Sequence, residues 1–215
     1  DGFRDRIVVG GAHFNVTEAE AFEYLDVNYI FYSESEIEFP KFVRAFLDKS
    51  PYDHIGGLAR RKGEEIVINP VGEFIADLDD LPFPDLGLGA PDDYEFISGR
   101  YDRVMTMMAS RGCPFKCTFC ASVPIWGRNT IYRSPEHIVR EIEELYNRYG
   151  TRQFRFFDDT FTVNRKKMIG VCKLLVEKFG DPETQPIMMR LQSDLVDLCL
   201  HACDGQLTGQ SISFD

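Results

Sequence analysis

The chain has 215 residues, 44% hydrophobic and 27% charged, with a formal net charge of −11, which gives room for one large globular domain or two small ones. The acidic balance argues against a nucleic-acid surface, because phosphate binding rests on Lys and Arg. No apolar run approaches the roughly 20 residues of a membrane-spanning helix, no basic-then-apolar leader is present, and the opening Asp1-Gly2-Phe3, without Met, reads as part of a longer protein.

Residues 5–11 read as a short buried strand, Ile7-Val8-Val9, ending in the glycine turn Gly10-Gly11. Thr17 and Glu20 have the spacing of a capping box for a helix over residues 17–25. Tyr29-Ile30-Phe31 is a second strand, and residues 36–49 carry Ile37, Val43, Phe46 and Leu47 at helical spacing with Pro40 in the first turn. Residues 54–59 and 65–69 flank Arg60-Arg61-Lys62-Gly63-Glu64 as a hairpin. Residues 1–70 therefore read as the later half of an α/β sheet domain. Residues 71–100 are acidic and rich in Pro and Gly, with Asp77-Leu78-Asp79-Asp80-Leu81-Pro82-Phe83-Pro84 at their centre, and read as a linker that packs on a neighbouring surface.

Residues 101–215 change rhythm. Strands are expected at 104–108, 153–157 and 187–191, with a last one around Ile212. Helices begin at Ser134-Pro135 and at Asn164, stopping at Gly150 and Gly180, and a short one is expected over 195–203. Strands alternating with helices imply a parallel sheet. Three βα units and one strand cannot close an eight-fold barrel, so this part is an open sheet or a truncated barrel.

Three of the six cysteines fall on one loop, Cys113-Pro-Phe-Lys-Cys117-Thr-Phe-Cys120, directly after the first strand of that series. Three thiolates so placed can hold three corners of an iron–sulfur cube and leave the fourth iron open to a ligand with an amine and a carboxylate. A structural zinc site calls for a fourth ligand, and an electron-transfer cluster for a fourth Cys; neither lies nearby. Cys172, Cys199 and Cys203 sit in helical-looking segments and read as buried structural thiols. This cysteine usage suits a reducing cytoplasm better than a secreted disulfide scaffold.

C-x₃-C-x-aromatic-C after a strand resembles the signature of the radical S-adenosylmethionine (SAM) superfamily, with Phe119 in the aromatic slot. The resemblance implies a [4Fe–4S] cluster on Cys113, Cys117 and Cys120, SAM on the open iron with Phe119 near its adenine, and reductive cleavage to a 5′-deoxyadenosyl radical fed by a donor such as flavodoxin or ferredoxin. It also implies a carboxylate for the SAM amino group at the end of the second barrel strand, where Phe156-Phe157-Asp158-Asp159-Thr160-Phe161 stands without the family's usual glycines. One of this Asp pair could equally cap the helix at Asn164. Arg190, Gln192, Ser193 and Asp194, ending the third strand, are placed to touch SAM, with helix capping the other reading of Asp194. Trp126 and Arg128 follow the cluster loop, Trp126 reading more readily as packing.

The first half is similar to the cobalamin-binding subgroup of that superfamily. The similarity rests on Gly10-Gly11-Ala12-His13, on strand 29–31 running into Ser33-Glu34-Ser35-Glu36, and on the Leu-Pro-Phe-Pro linker. It implies a partial Rossmann-like B12 domain with Gly10 and Gly11 at the cobalamin nucleotide tail. The full-length enzyme would then perform methyl transfer, cyclisation or rearrangement. The subgroup's Asp-x-His-x-x-Gly motif is missing, since Asp53 adjoins His54, and neither His13 nor His54 is assigned to cobalt. The other readings are a cobalamin-independent, methylthiotransferase-like enzyme and a non-enzymatic metal-binding module.

Overall fold

The computed structural model describes residues 4–88 and 104–180, together with the short strands at 188–191, 197–198, 202–203 and 206–207. The chain forms two compact units, Asp1–Ala76 with Gly112–Thr130, and Asp77–Arg111 with Ile131–Asp215.

The first unit is built on a four-stranded sheet of order β1-β2-β3-β4. Strand β1 (Val8–Val9) runs parallel to β2 (Tyr29–Phe31), with Val8 opposite Tyr29. Strands β3 (Leu58–Lys62) and β4 (Glu65–Ile68) continue antiparallel, and Lys62 faces Glu65 across the turn at Gly63. Successive strand residues point to opposite faces, so β2 feeds two cores. Ile30 packs with Ala21, Phe22 and Val27 around α1 (Ala21–Tyr24). Phe31 packs with Phe42 of α2 (Glu38–Asp48), Ile55 and Leu58. Complete burial of such side chains is worth roughly 1.5–3 kcal/mol each.

Two local expectations fail here. The capping box at Thr17 does not form: its hydroxyl donates to the His13 carbonyl at 3.0 Å, and the helix starts only at Ala21. The hairpin's first strand begins at Leu58 instead of His54, because the Ile55 amide bonds the Tyr52 carbonyl in a turn.

The second unit follows the βα order. Strands β5 (Val104–Met107), β8 (Gln153–Phe156) and β9 (Met188–Leu191) are parallel and adjacent, β8 in the middle. A hairpin of β6 (Ser110–Arg111) and β7 (Ile131–Tyr132) brackets residues 112–130, which contain α3 (Ser122–Trp126). Helix α4 (Pro135–Tyr149) is capped by the Ser134 hydroxyl, which accepts from the His137 amide, has Pro135 in its first turn and ends at Gly150 in the left-handed conformation. Asn164 caps α5 (Arg165–Phe179) through its side-chain oxygen and the Lys167 amide. The two helices place Ile138, Ile142, Val171 and Leu175 on Met107, Phe154 and Phe156.

Beyond β9 the order changes. Strand β10 (Asp197–Leu198) is antiparallel to β9, and β11 (Ala202–Cys203) pairs antiparallel with β12 (Gln206–Leu207). The short helix expected over 195–203 is thus replaced, where residues are described, by strands. The strand expected at Ile212 lies outside the described residues.

From residue 77 the acidic segment belongs to the second unit. Asp79 accepts from the Ser134 amide at 2.9 Å. The Phe83 ring lies 4.8 Å from that of His137, with the Arg140 guanidinium 5.2 Å from its centre. Residues 89–100 lie outside the described residues.

Candidate cofactor site

The cysteine loop follows the C-terminal end of β5, which lies beside β8 at the end of the described strand order; it is from the C-terminal ends of parallel strands that α/β folds present ligand-binding loops. Its root is densely bonded. The Phe157 amide donates to the Met107 carbonyl at 2.9 Å, and the Arg133 amide to that of Ala109 at 2.9 Å. The Arg133 side chain donates to the Met108 carbonyl at 2.9 Å and to His137 Nδ1 at 2.9 Å, and pairs with Glu141 at 2.5 Å. Gly112 closes the entry: its φ is +84°, and a Cβ there would stand 2.3 Å from the Asn129 carbonyl oxygen, so no side chain fits.

Beyond this root the three cysteines are accessible. Cys113 is half-buried, and Cys117 and Cys120 are exposed. The Cys120 amide bonds the Cys117 carbonyl at 3.3 Å, and the Ser122 amide points at Cys120 Sγ from 3.5 Å. Phe115 and Phe119 are 58% and 91% exposed, an uncommon state for aromatic rings that a bound group would cover. Among the described residues no three His, Cys, Asp or Glu side chains converge as they stand on one ion. The donor set nevertheless suits a cubane: three soft thiols on one short loop, with an amide directed at one sulfur, the kind of bond that tunes such clusters. Cys172 differs. It is buried on α5, and burial pushes its thiol up to about 11.

The two carboxylates after β8 part company. Asp158 is 4% exposed and accepts from the Ala109 amide at 3.1 Å and the Ser110 hydroxyl at 2.5 Å. Desolvation raises its carboxyl above the ordinary range, against those hydrogen bonds. Asp159 is exposed. Neither caps α5, since Asn164 does so itself.

In the first unit, Gly11 has φ +112° and nothing within 4 Å of a Cβ position, while a Cβ on Gly10 would meet Phe31 at 3.5 Å. The Gly-Gly turn thus ends β1 as a low rim beside β2. The turn Ala12–Asn15 follows it, and Asn15 binds two neighbours: it accepts from the Ser33 amide at 2.9 Å and donates to the Ile125 carbonyl of α3 at 3.5 Å. Sequence reasoning missed Asn15. It missed equally Asp79, bonded to Ser134 across 55 residues, and Arg133, which reaches the Met108 carbonyl across 25 and is held by its near neighbours His137 and Glu141. His13 and His54 are exposed, and His13 meets the Tyr24 hydroxyl at 3.0 Å. Trp126 is half-buried on α3, Arg128 is exposed, and Gln192, Ser193 and Asp194 lie outside the described residues.

Comparison with known proteins gives this arrangement a context. Residues 107–205 match the radical SAM superfamily. Over 166 residues the chain is 31% identical to an uncharacterized methyltransferase of Pyrococcus horikoshii, covering 77% of this chain and 36% of that protein. Over 124 residues it is 36% identical to the anaerobic magnesium-protoporphyrin IX monomethyl ester cyclase of Cereibacter sphaeroides, covering 58% of this chain and 20% of that enzyme. The chain therefore spans about a third or less of these two relatives. The fold resembles the cobalamin-dependent SAM radical enzyme OxsB with aqua-cobalamin bound (TM-score 0.66, 18% identity, 85% of this chain and 25% of that one). It also resembles the methyltransferase TsrM of Kitasatospora setae with cobalamin and a [4Fe–4S] cluster bound (TM-score 0.59, 17% identity, 83% of this chain and 34% of that one). One short stretch has another kinship: 38 residues are 66% identical to phosphoribosylamine–glycine ligase of Salmonella typhimurium, 18% of this chain and 9% of that enzyme.

Proposed function

We propose that this chain, whose residues 107–205 match the radical SAM superfamily, is the cluster-bearing part of an enzyme that cleaves SAM reductively. The observation that carries the reading is the set Cys113, Cys117 and Cys120 on a loop that follows a parallel strand, with Cys117 and Cys120 exposed. A [4Fe–4S] cluster held by these thiolates supplies, from a flavodoxin- or ferredoxin-like donor, the electron that turns bound SAM into methionine and a 5′-deoxyadenosyl radical.

The chain's own residues bind and orient. Phe119, exposed between Cys117 and Cys120, offers a flat apolar face to the adenine. Asp159, exposed beyond the end of β8, is the carboxylate we assign to the SAM amino group, because Asp158 is buried with its oxygens on the Ala109 amide and the Ser110 hydroxyl. Gly10 and Gly11 give a rim low enough for a bulky nucleotide tail to approach the backbone. This supports a cobalamin-dependent enzyme that transfers a methyl group or forms a ring in its full-length form. No described helix is long and apolar enough to cross a membrane, and a reducing, cytoplasmic setting suits the three thiols.

The test is anaerobic reconstitution with iron and sulfide, followed by reduction in the presence of SAM. The expected results are the broad absorption of a [4Fe–4S] cluster and 5′-deoxyadenosine as product, both lost in Cys117→Ala. A chain that takes up zinc and never assembles a cluster overturns the reading. Cobalamin is tested separately, by titrating hydroxocobalamin and reading retention on gel filtration. Gly11→Val is expected to weaken that retention without changing iron content.

A further inference from the structure

We propose that Asp158 is a positioning residue: it clamps the strand from which the cysteine loop departs, and the loop's capacity to assemble a cluster depends on that clamp. This rests on the cysteine loop being a cluster site.

Three observations meet at Asp158. The first is its burial. At 4% exposure a carboxylate loses most of its hydration, a cost that an apolar side chain would not incur. The second is where its oxygens go. Both stand 3.1 Å from the Ala109 amide, and one accepts from the Ser110 hydroxyl at 2.5 Å. Ala109 and Ser110 are the residues by which β5 turns into the loop, and Ser110 opens β6. The third is what surrounds it. The carbonyls of Met107, Met108 and Ala109 are bonded to Phe157, to the Arg133 side chain and to the Arg133 amide. The departing strand therefore has its carbonyls taken by peptide and guanidinium donors. Its inward-facing amide is taken by one side chain, Asp158. The returning strand is held through Arg133, which Glu141 pins in turn. Without the carboxylate, the Ala109 amide is a buried donor with no acceptor, and the segment has a reason to rearrange.

Asn at this position keeps the shape but offers only one acceptor oxygen, and its NH₂ group faces a donor. Asp158→Asn in the full chain is therefore the primary variant, with Asp159→Asn as its neighbour control. Two readouts are taken. Amide hydrogen exchange, measured without iron, reports on the clamp itself, and iron per chain after anaerobic reconstitution reports on the loop.

The expected result for Asp158→Asn is exchange of the Ala109 amide and of peptides covering 112–130 faster by at least about tenfold, the scale of a lost hydrogen bond to a charged group. Iron content is expected to fall severalfold. Asp159→Asn is expected to leave both readouts at wild type. If Asp158→Asn unfolds the chain, Ser110→Ala removes one of the donors at less cost and is expected to shift both readouts in the same direction. Wild-type exchange and full iron in Asp158→Asn overturn the proposal. So does a variant that loads iron normally and fails only to bind SAM, which makes Asp158 a substrate ligand. A wild-type chain that never assembles a cluster overturns the functional reading instead, and the exchange comparison still decides the clamp.

Discussion

Cysteine shows how strongly surroundings set the character of a single residue. Cys172 is buried on α5 with its thiol pushed up to about 11, so at about pH 8 its thiolate fraction is on the order of one in a thousand. Iodoacetamide on the native, iron-free chain is expected to label Cys117 and Cys120 and to spare Cys172 until denaturant is added, as read by peptide mass mapping. Equal labelling of Cys172 in the native state contradicts its assignment as a core thiol. Asp79 gives a pH-dependent case. Burial pushes its carboxyl up, but the Ser134 hydroxyl and amide and the charges of His137 and Arg133 outweigh this, leaving it below the ordinary 3.8. A depressed carboxyl stabilises the fold above its unfolded value and loses that contribution as pH falls through the folded one. The stability gap between wild type and Asp79→Asn is therefore expected to be full at pH 6 and to close below about pH 4, in denaturant titrations across that range. The role proposed for the loop cysteines rests on their spacing, which the sequence alone displays. The sequence left Asp158 and Asp159 equivalent, because only tertiary packing buries one and exposes the other. Asp79 and its partner Ser134 are too far apart in the chain for any local pattern to join them.

Among elements, the helices with explicit start and stop chemistry were read correctly. Ser134-Pro135 and Gly150 bound α4, and Asn164 and Gly180 bound α5. The apparent cap at Thr17 misled because its hydroxyl has a nearer acceptor in the His13 carbonyl. The strands expected around Val8, Ile30, Met105, Phe154 and Met189 were found to within a few residues, since β-branched and aromatic runs mark them while their ends depend on pairing; the two-residue strands β6, β7 and β10–β12 were not foreseen. The two classes of helix position predict different costs. Ile142 is fully buried against β5 and β8, and Ile142→Ala is expected to cost about 2–5 kcal/mol. Ser134→Ala removes the α4 cap for about 1 kcal/mol. Leu47, 73% exposed on α2, is expected to change stability by less than about 0.5 kcal/mol as Ala. Urea unfolding of the three variants tests the order; an Ile142→Ala cost no greater than that of Leu47→Ala would falsify the packing of α4 on the sheet.

At the scale of the molecule, the sequence divides near residue 100, at the end of the Pro-rich segment, but contacts divide it otherwise. Residues 112–130 group with the first unit, and residues 77–88 with the second. The destination of an excursion such as 112–130 is set by non-local partners, here Asn15 and the Ile125 carbonyl, which no periodicity announces. The end of the chain is the other departure. The βα order holds through β9 and then gives way to two-residue antiparallel strands. The chain also contains a 38-residue stretch 66% identical to a ligase, twice the 31% that joins it to the Pyrococcus methyltransferase. The consequence concerns the cofactor loop. Every contact described at its root, from Asp158, Arg133, Glu141 and the β6–β7 hairpin, lies N-terminal of Gly180. A chain ending after β9 is therefore expected to take up the same iron per chain as the full one and to show the same exchange at Ala109. A truncated chain that folds, as judged by its circular dichroism, yet loads markedly less iron would show that the last residues support the cluster site and belong to the same working unit as the cysteine loop.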